Sequence, residues 1–241
     1  MSGRRLLCIG HRGAMGHAPE NTLLSFRRAL EMGAPCVEAD VYYVDHHLMV
    51  FHDDRLERTT NGAGYLIDHD FDTLRSLDAG NGERIPTLAE VFETIDRRAG
   101  VNIELKGPGT ARPVAGLIAT LRKQGWPDHL ILVSSFNHRE LETVRGIDPF
   151  IRIGVLIAGS PVDAAAFAAS FGAWSVHISL AFIDRGFVED AHSRGLKVFV
   201  FTVNHPDEIY RMERLGVDGV FTNYPERVLS RQEGDGVIGW G

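Results

Sequence analysis

The sequence predicts an α/β fold, a TIM-type (β/α)8 barrel with a small insertion after its second strand. Three observations point there. Eight short apolar, β-rich runs alternate with eight longer runs of helical period. The 241 residues suit one such barrel, which typically takes roughly 250. Ionisable residues gather at the ends of several predicted strands, where barrels of this kind carry their active sites.

In chain order the predicted strands are Arg5–Gly10, Cys36–Asp40, Val101–Leu105, Leu130–Ser134, Ile151–Leu156, Ala173–His177, Lys197–Thr202 and Val217–Phe221. The predicted helices are Asn21–Gly33, Thr87–Ala99, Thr110–Gln124, Asn137–Gly146, Val162–Phe171, Asp184–Arg194, Pro206–Leu215 and Tyr224–Arg231. Strict alternation implies parallel strands joined by crossover helices. An open doubly wound sheet is the alternative, and eight repeats in this length favour closure. Gly33, Ala34 and Pro35 stop the first helix, because proline cannot continue it. Gly195 and Gly216 stand where helix C-caps are expected, and Asn137 and Asp184 are N-cap residues. The glycine-rich tail Glu233–Gly241 is expected to be loosely ordered.

One segment breaks the rhythm. After Asp40 the chain continues as a strand to Val44, turns through Asp45, His46 and His47, and returns over Leu48–His52. A glycine-containing loop at Thr59–Gly64 and a short helix near Phe71–Leu77 complete an insertion over residues 41–86, within a single domain of residues 1–241. Long insertions in compact domains are usually functional.

Composition excludes several classes. The 25 basic and 32 acidic side chains leave a net charge of −7, against the basic face of a nucleic-acid binder. Two cysteines, Cys8 and Cys36, make no disulfide framework and read as buried thiols. No apolar run approaches the roughly 18 residues of a membrane span, and the N-terminus lacks the apolar core of a signal peptide. Cytoplasmic residence without membrane insertion is the expectation.

The chemistry lies at the strand ends. Glu38 and Asp40 are two apart on a strand and share a face. Adjacent carboxylates repel, and such a pair usually needs a cation or a shared proton. Glu104, from the end of the next strand, reaches the same point. Three carboxylates without a thiolate suit a hard divalent ion, Mg²⁺ or Ca²⁺, with Mn²⁺ also fitting. With the hairpin turn centred on His46, residue 40 faces residue 52, which would put His52 beside Asp40. His11 ends the first strand, so two imidazoles flank the acids as a candidate base and acid. Arg12 offers a planar fork for phosphate oxygens, and Lys106 shares a face with Glu104.

These residues carry a family resemblance. The series His11, Arg12, Gly13; Ala18 to Thr22; Glu38, Ala39, Asp40; His52, Asp53; and Glu104, Leu105, Lys106 resembles the motifs of the glycerophosphodiester phosphodiesterase family. Ser134 to Phe136, Thr202 to Asn204 and Gly219 to Pro225 resemble its later blocks. The resemblance implies hydrolysis of deacylated phospholipid head groups to sn-glycerol 3-phosphate and an alcohol. It implies a metal on Glu38, Asp40 and Glu104, with Glu20 joining it or lying near. His11 and His52 would be the acid–base pair, and the substrate would meet Arg12, Lys106, Glu20, Phe201 and Asn204. Some positions depart from the family pattern: Phe201 stands where tryptophan is frequent, Asn223 where aspartate is common, and His17 adds a third imidazole at a variable-looking loop position near the mouth. Other readings are a related metal-dependent phospholipase D acting on lysophospholipids, a non-catalytic phosphodiester-binding barrel and, remotely, a metal aldolase or isomerase. Head-group preference and oligomeric state are not readable.

Overall fold

In the computed structural model, residues 6–231 and 239–240 are described. Eight parallel strands form the barrel: β1 (Leu7–Gly10), β2 (Cys36–Val44), β4 (Gly100–Leu105), β5 (Ile131–Ser135), β6 (Ile153–Ile157), β7 (Ser175–Ser179), β8 (Lys197–Phe201) and β9 (Gly219–Thr222). Each pairs with the next, and β9 pairs back with β1, which closes the ring. The ninth strand, β3 (His47–Val50), is antiparallel to the outer half of β2. The TIM barrel expected from the alternation is therefore the observed fold.

Helices α1 (Leu23–Glu31), α3 (Leu88–Ile95), α4 (Ala111–Lys123), α5 (His138–Ile147), α6 (Ala166–Ser170), α7 (Arg185–Ser193), α8 (Pro206–Leu215) and α9 (Pro225–Leu229) connect the strands, and α2 (Phe71–Ser76) lies in the insertion. Asn137 and Asp184 cap α5 and α7 as expected, each accepting from a backbone N–H of the first turn. The helix predicted from Val162 starts later. Ala164 is left-handed (φ 48°), and the backbone N–H of Ala165 is satisfied by Asp190, so helical geometry begins only at Ala166.

Alternation divides each strand between two cores. Val37, Ala39 and Val41 face outward into the main helix–sheet core. Cys36 faces the barrel axis with Ile9, Leu132, Phe199, Phe221 and Trp240. Both cysteines are buried and unpaired. Of the C-terminal tail, Gly239 and Trp240 are among the described residues. Trp240 is buried against Trp174 and Phe199, and its amide donates to the His129 carbonyl. The predicted strand start at Arg5 and residues 233–238 and 241 of the tail lie outside the described residues.

The insertion builds its own small core from Val44, Met49, Phe51, Leu56, Leu66, Leu74, Ala79 and Ile85. Its hairpin differs from the expected register. Val44 pairs with His47 and Val41 with Val50, across a two-residue turn in which Asp45 (φ 45°) and His46 (φ 63°) are both left-handed. Such turns match the right-handed twist of the flanking strands better than the longer turn expected. Position 40 accordingly meets residue 51, whose N–H donates to the Asp40 carbonyl, and not residue 52.

Candidate active site

Glu38 and Asp40 project from the inward face of β2, and register supplies the third acid. Asp40 is the direct neighbour of Glu104 across the β2–β4 ladder. The three carboxylates are buried, and one oxygen from each lies within 4.8 Å of the other two. Burial, and then repulsion by Asp40 and Glu104, pushes the Glu38 carboxyl well above the usual range. Burial and Asp40 push Glu104 up to about 7. Glu38 Oε1 is buried without a hydrogen-bond partner. An orphaned lone pair among mutually repelling acids fits a divalent cation.

Two cations border the acids. Arg12 Nε lies 3.1 Å from Asp40, and Lys106 Nζ lies 2.8 Å from Glu104 and 3.5 Å from Asp40. Burial alone would lower the Lys106 pKa; Glu104 and Asp40 outweigh it and raise it. Arg12 adopts a left-handed backbone (φ 51°), which aims its N–H at Glu38 Oε2, 2.9 Å away. Gly13 follows at φ 83°, where an added Cβ would lie 2.6 Å from the Ser25 backbone, so the turn can close against α1 only with glycine there.

The histidines stand on opposite supports. His11 Nδ1 lies 2.7 Å from Asn223 Oδ1. Burial, followed by the charge of Arg12, holds its pKa down at about 4. His52 Nδ1 lies 2.5 Å from the Asp53 carboxylate. Both rings line one cleft of about 240 Å³ with Arg12, Glu38, Glu104 and Lys106 on its charged side. Phe136, Leu156, Phe201 and Phe221 form the apolar side, and Phe136 meets Phe201 edge to face at 5.7 Å. A wider groove continues past His52 and Lys106 onto the insertion, between Tyr42, Asp54 and Arg58.

His52 thus reaches the cleft, although not by facing Asp40. It follows the end of β3 at Val50, where the chain leaves the ladder. Two residues expected to meet substrate are not among those lining this cleft. Asn204 does not line the cleft; its Oδ1 accepts from the Asn223 N–H at 2.9 Å and so braces the partner of His11. Glu20 is not in the wall either; it accepts from Arg12 and from Arg58. Sequence reasoning missed Arg58, named Asp53 only as a motif residue without a role, and noted Asn223 only as a departure. The identity of residue 223 was the available signal for its role; nothing in the spacing pairs residue 58 with residue 20.

Fold and site together define a phosphodiesterase-type TIM barrel: acids poised for a cation, two bases suited to phosphate and two imidazoles in one cleft. The glycerophosphoryl diester phosphodiesterase family model matches residues 11–227. The chain belongs to that family and is a phosphoric diester hydrolase. It is 38% identical to a glycerophosphodiester phosphodiesterase of Caldanaerobacter subterraneus subsp. tengcongensis, over 94% of this chain and 97% of that one. It is 33% identical to a glycerophosphodiester phosphodiesterase of Bacillus subtilis, over 94% and 86%. Its fold resembles that of an Oleispira antarctica phosphodiesterase solved with the product sn-glycerol-3-phosphate (TM-score 0.85, 35% identity, 92% and 95% covered). It also resembles the Thermotoga maritima glycerophosphodiester phosphodiesterase (TM-score 0.77, 27% identity, 95% and 99% covered). Among the described residues, no helix is long and apolar enough to cross a membrane.

Proposed function

We propose that the chain, acting as one domain with its inserted lobe, hydrolyses glycerophosphodiesters to sn-glycerol 3-phosphate and an alcohol, with a divalent metal and two histidines. Charge balance in the cleft carries the reading. With all three acids ionised, Glu38, Asp40 and Glu104 against Arg12 and Lys106 carry one negative charge in excess, a state that burial and mutual repulsion oppose by raising the Glu38 and Glu104 pKa values. That balance repels a phosphodiester anion. A divalent cation reverses it to one positive charge, which matches the single charge of the substrate.

Glu38, Asp40 and Glu104 would hold the ion, Mg²⁺, Ca²⁺ or Mn²⁺, which when bound supplies Lewis acidity to the phosphoryl group. Arg12 and Lys106 bind phosphate oxygens and stabilise the charge that builds on them. His11 is the base. Its Nδ1 is engaged by the neutral Asn223, which leaves Nε2 to take a proton from the attacking oxygen. His52 is the acid. Its partner Asp53 is anionic and complements a ring that carries a proton on Nε2 to the departing alkoxide. An alkoxide leaves poorly unless protonated, so this donor matters most for natural alcohols. The attacking oxygen belongs to water or to the glycerol 2-hydroxyl, and trapping of a cyclic glycerol phosphate by ³¹P NMR separates the two routes.

The test is a coupled assay for released glycerol 3-phosphate on metal-stripped protein, with single ions added back and several head groups compared. The reading predicts no turnover without metal and loss of about 10²–10⁴-fold in kcat for His11→Ala and for His52→Ala. Full activity after metal removal, or near-native turnover of both variants, would overturn it.

A further inference from the structure

One side chain of the insertion, Arg58, makes two forks at the rim of the barrel mouth. Arg58 Nη1 and Nη2 donate to the two oxygens of Glu20, each at 2.7 Å. Its Nε and Nη2 donate to the two oxygens of Asp53 at 2.5 and 2.9 Å. Every oxygen of both carboxylates is thereby engaged. Glu20 also accepts from Arg12 at 2.6 Å, and Asp53 accepts from His52 Nδ1 at 2.5 Å. The sequence of contacts runs His52, Asp53, Arg58, Glu20, Arg12, from the lobe to the phosphate side of the cleft.

The environment explains why the link can be firm while half exposed. An isolated surface ion pair contributes little. Here one guanidinium makes two planar bidentate contacts, which fix geometry as well as charge. His52 needs such fixing. It follows Phe51, whose N–H donates to the Asp40 carbonyl of β2; the Tyr42 hydroxyl donates to the His52 carbonyl at 3.4 Å, and the Asp53 side chain is the partner of its ring.

We infer that Arg58 is a positioning residue for proton donation: by clamping Asp53 against Glu20 it sets His52 at the angle from which the leaving oxygen is protonated. This rests on the reading of His52 as the acid. Arg58 itself touches no reacting atom. Loss of the clamp leaves Asp53 free to rotate away and His52 without a fixed partner, whereas Lys106 and the three metal-binding acids keep their contacts.

The experiment compares two leaving groups. Glycerophosphoethanolamine releases an alkoxide that must be protonated; glycerol phospho-p-nitrophenol releases a stable phenolate that needs no acid. For Arg58→Ala the expected result is a kcat loss of about 10- to 100-fold on the first, the range a misplaced catalytic group costs, with KM within about threefold, and a loss under about threefold on the second. Asp53→Asn should show the same selectivity and guards against a folding failure of Arg58→Ala. Arg58→Lys should recover little, because an ammonium cannot form both forks. His52→Ala is run beside them. If it loses activity selectively on the alkyl substrate while Arg58→Ala and Asp53→Asn lose both substrates equally or neither, the inference fails and the role of His52 stands. If His52→Ala shows no such selectivity, the acid assignment itself fails and the inference falls with it.

Discussion

Asn223 holds His11 by a single contact, 2.7 Å from Oδ1 to the imidazole Nδ1, and Asn204 in turn holds Asn223 through its backbone N–H. Burial, and then the charge of Arg12, outweigh the hydrogen bond to Asn223, which favours the charged ring, so His11 stays unprotonated down to about pH 4. A base role for His11 would therefore be available across the neutral range.

Replacing that partner with a carboxylate reverses one part of this balance. In Asn223→Asp the new anion stabilises the imidazolium, so the His11 pKa rises and the base is lost at higher pH. The acid limb of kcat/KM should move upward by about one unit or more, as expected for an adjacent opposite charge. A pH–rate profile that does not move would show that His11 is not the group titrating on that limb.

The acids make a second prediction about stability. Between the ordinary glutamate value of 4.5 and the folded value of about 7, the folded metal-free protein binds more protons at Glu104 than the unfolded chain. Stability is then present below 4.5 and is lost as pH rises through 7. A cation bound by these acids should remove the loss. At a concentration 100 times its Kd it adds about 2.7 kcal/mol, on the order of 5–10 °C in Tm for a chain of this size. Thermal melts at pH 5 and pH 8, with and without Mg²⁺, Ca²⁺ or Mn²⁺, measure this. The gain should vanish in Glu38→Gln. An unchanged Tm at pH 8 with every ion would remove the carboxylates from consideration as a metal site.

Much of this site was readable because strand periodicity and parallel register are both local rules. Two-residue spacing put Glu38 and Asp40 on one face, and neighbouring strand ends put Glu104 beside them, as the Asp40–Glu104 pairing shows. His52 was placed in the right region through a register that is off by one, because the count assumed a turn centred on His46 where the chain uses Asp45 and His46 alone. Its true position depends on how the chain bends after Val50, which no periodicity encodes. Arg58 lay beyond reach for a similar reason. It follows a loop with neither alternation nor helical period, and its partner Glu20 comes from another loop that only the closed barrel brings near. Asn204 shows the converse: a polar residue at a strand end that supports the site and does not line it.

Below the cleft, His177 predicts an acid-sensitive core. It is fully buried on β7, with Nε2 2.9 Å from Ser175 Oγ and Nδ1 without a partner. Its space is made by Gly154, where an added Cβ would lie 2.4 Å from Nε2. Burial depresses its pKa from 6.5 to about 3. A depressed group contributes stability above the unfolded value, and that stability is lost as pH falls from 6.5 toward 3. At pH 4 the loss reaches about 3 kcal/mol, at 1.36 kcal/mol per unit. Urea midpoints at pH 7, 5 and 4 should fall in the parent chain and fall less in His177→Leu. Parallel curves for the two proteins would show that this ring does not set the acid limit.

The apolar wall predicts where substrate discrimination lies. Phe136, 45% exposed, stands edge-on to Phe201 at the mouth, and Leu156 and Phe221 extend the same surface inward, opposite the charged side. Were Arg12 and Lys106 to grip a phosphodiester, one ester arm would face this wall and the other the groove beside Tyr42 and Asp54. The carbon backbone of glycerol suits the apolar side, since a polar or charged head group would lose hydration there without a partner. Truncating the wall should weaken binding without disturbing proton transfer. Phe201→Ala should raise KM for glycerophosphocholine about 10-fold, the worth of roughly 1.4 kcal/mol of apolar contact, with kcat changed less than threefold. Phe136→Ala, at the exposed edge, should cost less. Each variant is assayed on glycerophosphocholine and on lysophosphatidylcholine, whose acyl chain must extend past Phe136. If the parent chain turns over the lysolipid faster than glycerophosphocholine, and Phe136→Ala abolishes that advantage, the wall is an acyl-chain path and the phospholipase D reading replaces the glycerophosphodiester one.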